Sequence, residues 1–133
     1  MGQYYRVINT TKKEFLEPDT FGDGSKLGEF GMSSYGTMTA LAGLLANSNG
    51  RGGGDYQDNA MWGRWANDNI VIAGDYAEAG DAGEAEPLPV PTGDEINLYD
   101  QCDNLPFVDI SKSVLAALNE DNFFKKEFKK ATK

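Results

Sequence analysis

The stretch that decides the fold is residues 3–17, QYYRVINTTKKEFLE. Its first part, residues 3–9, is rich in tyrosine, valine and isoleucine, which are common in strands. The polar run from Asn9 to Lys12 supplies residues that favour a turn, and the return arm over 13–17 ends before Pro18, which cannot donate to a strand ladder. The stretch therefore predicts an antiparallel hairpin that opens a β-sheet.

Outward from this hairpin, the sequence predicts an irregular, glycine-containing connection over 19–31 and then a helix. Apolar residues recur at helical spacing from Ser34 to Leu45, with Ser33 or Ser34 as the N-cap and a stop over 47–50. Small residues between the apolar ones leave the segment apolar or small nearly all round. We therefore expect a central helix that packs closely against the sheet.

A second hairpin is predicted from Met61–Trp65 and Ile70–Ala73. The second of these runs is continuously apolar, which is typical of a central strand covered on both faces. Residues 95–99 are expected to return as a short edge strand. A helix that begins at Asp109 or Ser111 and carries apolar residues to position 118 follows.

Two segments stand apart from this core. Residues 77–94 are acidic and rich in alanine, glycine and proline, which predicts an exposed excursion, and residues 122–133 form a lysine-rich C-terminal helix or tail. The expected fold is α+β in a single domain, residues 1–133. Its mixed or antiparallel sheet has four or five strands, with two hairpins, packed against the central helix and the C-terminal helices.

Composition narrows the class of protein. The chain of 133 residues has no histidine and a single cysteine, Cys102, so the commonest general base is absent and no intrachain disulfide can form. No apolar run approaches the length of a membrane span, and the N-terminus lacks a signal-peptide pattern. We expect a cytoplasmic protein without membrane attachment, cofactor or metal, and more a binding protein than an enzyme.

The net charge of −9 is distributed asymmetrically, because no lysine or arginine lies between Arg64 and Lys112. A field of one sign attracts an oppositely charged partner and disfavours contact with nucleic acid phosphates. We therefore predict an acidic face over 68–109 that binds a basic protein and not nucleic acid; the alternative is that acidic loops only keep the domain soluble. The predicted partner-binding residues are Asp75, Glu78, Asp81, Glu84 and Glu86.

Two glycine-rich loops, residues 21–37 and 49–56, are candidates for binding a phosphorylated small molecule. Unpaired N–H groups at a helix start, with a nearby cation, are a general way to hold phosphate, although the first loop does not match the P-loop pattern. The alternatives are an ordinary capped helix start and a flexible turn after a helix. The predicted phosphate ligands are Lys26, Ser33, Ser34, Arg51, Gly52 and Gly53.

Weaker signals come from turn aspartates and from aromatic residues. Asp55 and Asp75 are candidate acid, base or metal ligands, although solvated turn aspartates are commoner. Trp62, Trp65 and Tyr76 could form a stacking surface for a base or a sugar, although aromatic residues in strands more often pack in the core.

Four stretches resemble small uncharacterised proteins of phage and bacterial genomes: 1–5, MGQYY; 21–27, FGDGSKL; 35–41, YGTMTAL; and 63–65, GRW, together with the run 70–76. The resemblance covers about the first 77 residues. It implies an accessory protein of a mobile element that acts in the host cytoplasm, and it implies no catalytic residue.

The sequence is consistent with two functions from different classes. The first is a non-enzymatic interaction protein, such as a phage counter-defence factor, that binds a basic host protein. The second is sequestration or hydrolysis of a phosphorylated small molecule or nucleotide by the two glycine-rich loops. Homo-oligomerisation is left open.

Overall fold

The computed structural model describes residues 3–32, 35–77, 97–104 and 106–121. Over these residues the fold is α+β, as predicted, with one four-stranded sheet and four α-helices. The strands are β1 (Tyr5–Asn9), β2 (Glu14–Leu16), β3 (Ile70–Gly74) and β4 (Val108–Asp109). The helices are α1 (Leu27–Gly31), α2 (Thr37–Leu45), α3 (Leu98–Gln101) and α4 (Ser111–Glu120).

The sheet is mixed, with strand order β3-β1-β2-β4. The predicted hairpin over 3–17 is confirmed: β1 and β2 pair antiparallel, with Ile8 opposite Phe15. β3 pairs antiparallel with β1, and β4 pairs parallel with β2. β1 is thus the strand that joins the first hairpin to the later part of the chain.

Successive side chains of a strand point to opposite faces, so the sheet separates two apolar clusters. Val7 and Leu16 belong to the larger cluster, which α1, α2 and α4 complete through residues such as Phe30, Leu44 and Val114. The second cluster lies on the other face and is built around Ile8 and Phe15. Its remaining members are Ala73, Leu98, Cys102 and Phe107. Both faces of the sheet are therefore covered at its two middle strands, β1 and β2.

The hairpin turn is tied to the segment before β3. The buried Asn9 accepts a hydrogen bond from the N–H of Lys12 at 2.8 Å, and its amide donates to Asp68 Oδ2 at 2.8 Å. Lys12 Nζ lies 2.6 Å from the same carboxylate oxygen. These bonds lower the pKa of Asp68, with the Lys12 hydrogen bond as the largest cause.

The predicted strand over Met61–Trp65 is wrong, and with it the second hairpin. Residues 60–67 form successive turns that dock onto the end of α2. The N–H of Gly63 donates to Gly43 O and that of Trp65 donates to Leu44 O, both at 2.9 Å. These N–H groups satisfy carbonyls that a helix end leaves unpaired, which a strand in this place would not do.

The prediction of β3 as a strand is confirmed, but its predicted central position is wrong. β3 is one of the two edge strands of the described sheet, and Ile72 is 40% exposed. The partner that a central strand requires was expected from residues 61–65, which instead bind the end of α2. A continuous apolar run alone does not distinguish an edge from a centre.

Three further boundaries differ from the predictions. The connection over 19–31 contains a 3-10 helix, Pro18–Phe21, and α1. Leu98 and Tyr99, expected in an edge strand, begin α3, because Asn97 accepts a hydrogen bond from the N–H of Asp100 and so caps a helix. α2 begins at Thr37, after an N-cap at Gly36, and part of its surface, including Leu45, is exposed.

The predicted helix near 111–118 is confirmed as α4, and Asp109 Oδ1 accepts a hydrogen bond from the N–H of Ser111 at 2.9 Å. The predicted excursion over 77–94, apart from Ala77, and the lysine-rich segment over 122–133 lie outside the described residues. Across the described ranges, none of the helices has the length and apolar character that crossing a membrane requires.

Candidate interaction surface and glycine-rich loops

The N-terminus of α2, a predicted phosphate site, binds a carboxylate of the same chain. Asp23 Oδ2 accepts hydrogen bonds from the backbone N–H and from the hydroxyl of Thr37, each at 2.7 Å. A carboxylate is favoured there by the unpaired N–H groups and by the helix dipole. Ser33 and Ser34, the predicted ligands beside it, lie outside the described residues.

The second glycine-rich loop encloses a carboxylate in a similar way. Asp55 Oδ2 accepts hydrogen bonds from three consecutive N–H groups, those of Gly50 and Arg51 at 2.8 Å and of Gly52 at 3.0 Å. These bonds lower the pKa of Asp55, that from Gly52 most. A phosphate bound by these N–H groups would have to displace Asp55.

The two loops lie near opposite ends of the sheet. Lys26 is exposed at the start of α1, next to Ser25, whose carbonyl accepts from the N–H of Tyr5 at the start of β1. Arg51 lines a cleft together with Asn67, which precedes β3 at the other end of β1. The structure therefore does not bring Lys26 and Arg51 together; Gly53 is exposed in the same loop as Arg51.

The three predicted aromatic contact residues occupy three different environments. Trp65 is fully buried, and its indole N–H donates to Glu14 Oε1 at 2.8 Å. Tyr76 lies beyond the end of β3 and is 62% exposed. Trp62 is half-buried and lines the cleft. These side chains do not form one stacking surface.

The two candidate catalytic aspartates are also apart. Asp75 follows β3, and its Oδ1 accepts from the N–H of Tyr4 at 2.9 Å, whereas Asp55 lies in the loop after α2. They do not form the paired carboxylates that acid–base chemistry uses. Within the described part of the chain, no group of three or more metal-ligating side chains is present.

An acidic surface forms around Arg6 on the side of the sheet that carries the smaller apolar cluster. Arg6 forms ion pairs with Glu17 and with Asp103, the latter at 3.0 Å, and donates to the carbonyl of Tyr99 at 2.7 Å. Its guanidinium lies 4.3 Å from the centre of the Tyr99 ring and 5.2 Å from that of Phe15. One largely buried arginine thus holds the hairpin to the segment that begins at Asn97.

Negative charge exceeds positive charge at this point. The pKa of Glu17 is raised, first by burial and then by the charges of Asp109 and Asp103, despite the opposing effect of Arg6. Asp75 also acts on this region, since its charge contributes to the raised pKa of Tyr99, of which burial is the largest cause. We define the acidic surface by the half-buried Asp75 and by three exposed residues, Asp100, Asp103 and Asp109.

Sequence reasoning included Asp75 in this surface but missed Arg6 and Glu17. The signal for Arg6 was available, because it is the one charged residue within the run QYYRVIN. A charge in such a strand requires a partner when it is buried. Its actual partners, Glu17 and Asp103, lie far apart in sequence, so spacing alone did not indicate them. Glu78, Asp81, Glu84 and Glu86 lie outside the described residues.

Comparisons of the chain with protein-family models, with curated proteins and with solved structures found no match. The resemblance to phage and bacterial proteins therefore stays a prediction.

Proposed function

We propose that this chain is a non-enzymatic interaction protein whose acidic surface binds a basic surface of another protein. The observation that carries the proposal is the cluster of acidic side chains on this side of the sheet: Glu17 and Asp103 both pair with Arg6, and Asp109 lies close enough for its charge to act on Glu17. A basic partner would relieve the repulsion among these carboxylates, and the negative field of the acidic surface would steer that partner towards it.

The position of the acidic surface supports the same proposal. The side-chain amide of Asn97 donates to the carbonyls of Asp75 and Ala77 at 3.0 and 2.7 Å, so the chain enters and leaves the acidic segment 78–96, which carries the other predicted partner residues, beside this surface. Asp100, Asp103 and Asp109 are exposed and rest on a segment that Arg6 fixes to the sheet. Such residues are available to a partner without unfolding of the described core.

The alternative, binding of a phosphorylated small molecule, has less support. The N–H groups of Gly50, Arg51 and Gly52 donate to Asp55, and Thr37 donates to Asp23. The protein's own carboxylates thus occupy the donors that a phosphate would need, and a net charge of −9 opposes a further anion.

The test compares two variants with the same change in net charge. The first, D100N/D103N/D109N, alters the acidic surface; the control, E29Q/D58N/E120Q, alters exposed acids of α1, of the loop after α2 and of α4. Association with immobilised poly-L-lysine is measured by surface plasmon resonance at increasing salt. We expect the first variant to associate roughly tenfold more slowly than the wild type, and the control about as fast as the wild type.

A third variant, with Glu78, Asp81, Glu84 and Glu86 all changed to lysine, tests the predicted partner residues directly. We expect it to associate more slowly than either amide variant. Equal rates for the surface variant and its charge-matched control would show that only the total charge matters, and would overturn the proposal of a localised surface.

A further inference from the structure

An open polar cleft lies at the C-terminal end of α2, on the side of the sheet away from the acidic surface. Its volume is about 500 Å³, within the range of small-molecule sites. The cleft is bounded by the end of α2, the loop that follows it, and residues of the segment 58–67. Its lining includes Asn47, Ser48, Arg51, Asp58, Trp62 and Asn67.

Polar groups of this cleft are not used by the fold. Across the ranges that the structure describes, the side chains of Asn47, Ser48 and Asn67 have no hydrogen-bond partner, and the same holds for those of Arg51 and Asp58. By contrast, the neighbouring Asn49 uses both its amide atoms to bind the backbone of Tyr56. The cleft therefore presents amide, hydroxyl, guanidinium and carboxylate groups that are available to a ligand.

The charge of the cleft distinguishes it from the rest of the surface. Arg51 and Asp58 supply one positive and one negative charge, so the lining is neutral in a protein of net charge −9. Donors and acceptors are both present, which suits a ligand that itself both donates and accepts hydrogen bonds. A bound phosphate would be paired with Arg51 alone among these charged groups, and a bound divalent cation with Asp58 alone. The lining therefore suits a neutral ligand better than either ion.

Trp62 adds an aromatic side chain to this polar lining. Its ring packs edge-on against Tyr56, with centroids 5.2 Å apart at 82°, and lies over Gly43. The Trp62 indole N–H is buried and lacks a hydrogen-bond partner among the described residues. Such a group is costly unless something compensates it, and an acceptor supplied by a ligand in the cleft would do so.

We propose that this cleft binds a neutral saccharide. A sugar ring offers hydroxyl groups that both donate and accept, which match the amides of Asn47 and Asn67 and the charged groups of Arg51 and Asp58. Its C–H face is apolar and stacks on an indole ring such as that of Trp62. This function is additional to binding by the acidic surface and does not depend on it.

The experiment is a ¹⁵N-HSQC titration of the full chain with glucose, galactose, mannose, N-acetylglucosamine and N-acetylgalactosamine, with inorganic phosphate as a comparator. We expect at least one sugar to shift amide signals of residues 46–51 and 58–67. R51Q and D58N should each weaken that binding about tenfold, the effect of losing one charged hydrogen bond. K26Q is the control for R51Q, since it removes one positive charge at the other end of the sheet.

W62F retains an aromatic ring but removes the indole N–H, and we expect it to bind the sugar more weakly while remaining folded. D100N/D103N/D109N should bind the sugar like the wild type, which separates this inference from the proposed function. The proposal is overturned if none of the five sugars shifts these signals, whether or not phosphate does. It is also overturned if R51Q and D58N bind the sugar as tightly as K26Q does.

Discussion

Asp23 Oδ2 lies 2.7 Å from both the backbone nitrogen and the hydroxyl oxygen of Thr37, so a side chain 14 positions earlier caps α2. A side chain that accepts a hydrogen bond from an unpaired N–H at a helix start typically stabilises a protein by about 1 kcal/mol. We expect D23A to lower the free energy of unfolding by about 1–2 kcal/mol in urea titrations followed by circular dichroism. D19A, which alters an exposed aspartate nearby, should change it by only a few tenths of a kcal/mol. Equal effects of the two substitutions would contradict the capping role.

Asp55 fills the group of N–H donors in the second glycine-rich loop, and its removal should expose them. We expect inorganic phosphate to raise the melting temperature of D55A but not that of the wild type, relative to chloride at the same ionic strength. The reason is that three adjacent N–H groups without an acceptor bind an anion. D58A is the charge-matched control and should behave like the wild type. A phosphate effect of the same size in the wild type would show that Asp55 does not block the loop.

Glu14 and Glu17 are expected to titrate in opposite directions. Burial opposes ionisation of Glu14, but hydrogen bonds from Arg64 and Trp65 and the charges of Arg64 and Lys12 outweigh it, so its pKa is lowered. The pKa of Glu17 is raised, mainly by burial. Side-chain ¹³C chemical shifts followed against pH should place the midpoint of Glu14 below the ordinary value for glutamate, about 4.3, and that of Glu17 above it.

These shifts have opposite consequences for stability. The contribution of Glu14 is present above its unfolded pKa and is lost as pH falls through its lower folded pKa. The contribution of Glu17 is present below its unfolded pKa and is lost as pH rises through its higher folded pKa. D103N and D109N should each lower the midpoint of Glu17 and leave that of Glu14 unchanged. An unchanged midpoint for Glu17 in both variants would show that the charges of Asp103 and Asp109 do not act on Glu17.

Gly43 allows α2 and Trp62 to approach closely. A Cβ at this position would lie 2.6 Å from Trp62 Cε3 and 2.7 Å from Tyr56 Cε2, closer than van der Waals contact. G43A should therefore destabilise the protein by about 1–3 kcal/mol, as overpacking does. The matched control is G28A in α1, where a Cβ meets no atom within 4 Å. We expect that substitution to be neutral or to stabilise by up to about 1 kcal/mol in the same urea titration.

Cys102 should be unreactive in the folded protein. It is 4% exposed, and burial raises its pKa to about 12, because Arg6 only partly offsets the loss of solvent. The thiolate is the reactive form, so the disulfide reagent DTNB should modify the native protein at pH 8 far more slowly than the urea-unfolded protein. Similar rates in the two states would mean that the second apolar cluster opens readily.

The sequence by itself determined the elements whose signals are local. The β1–β2 hairpin follows from strand residues on either side of a polar turn, β3 from its apolar run, and α4 from apolar residues at helical spacing. The acidic character of 68–109 is likewise a matter of composition. These features depend on residues a few positions apart, which is why pattern alone predicts them.

Only the tertiary structure decided which of these signals lead to a site. Asp23 and Thr37 are 14 positions apart, and Arg6 and Asp103 are 97 apart, so the filled N-terminus of α2 and the crowded acidic surface exist only after folding. The edge position of β3 was decided likewise: residues 61–65 bind the end of α2, so that among the described strands β3 pairs only with β1. The physical reason is that each N–H group and each charge pairs with the partner that the packed core brings near, and sequence spacing does not specify that partner.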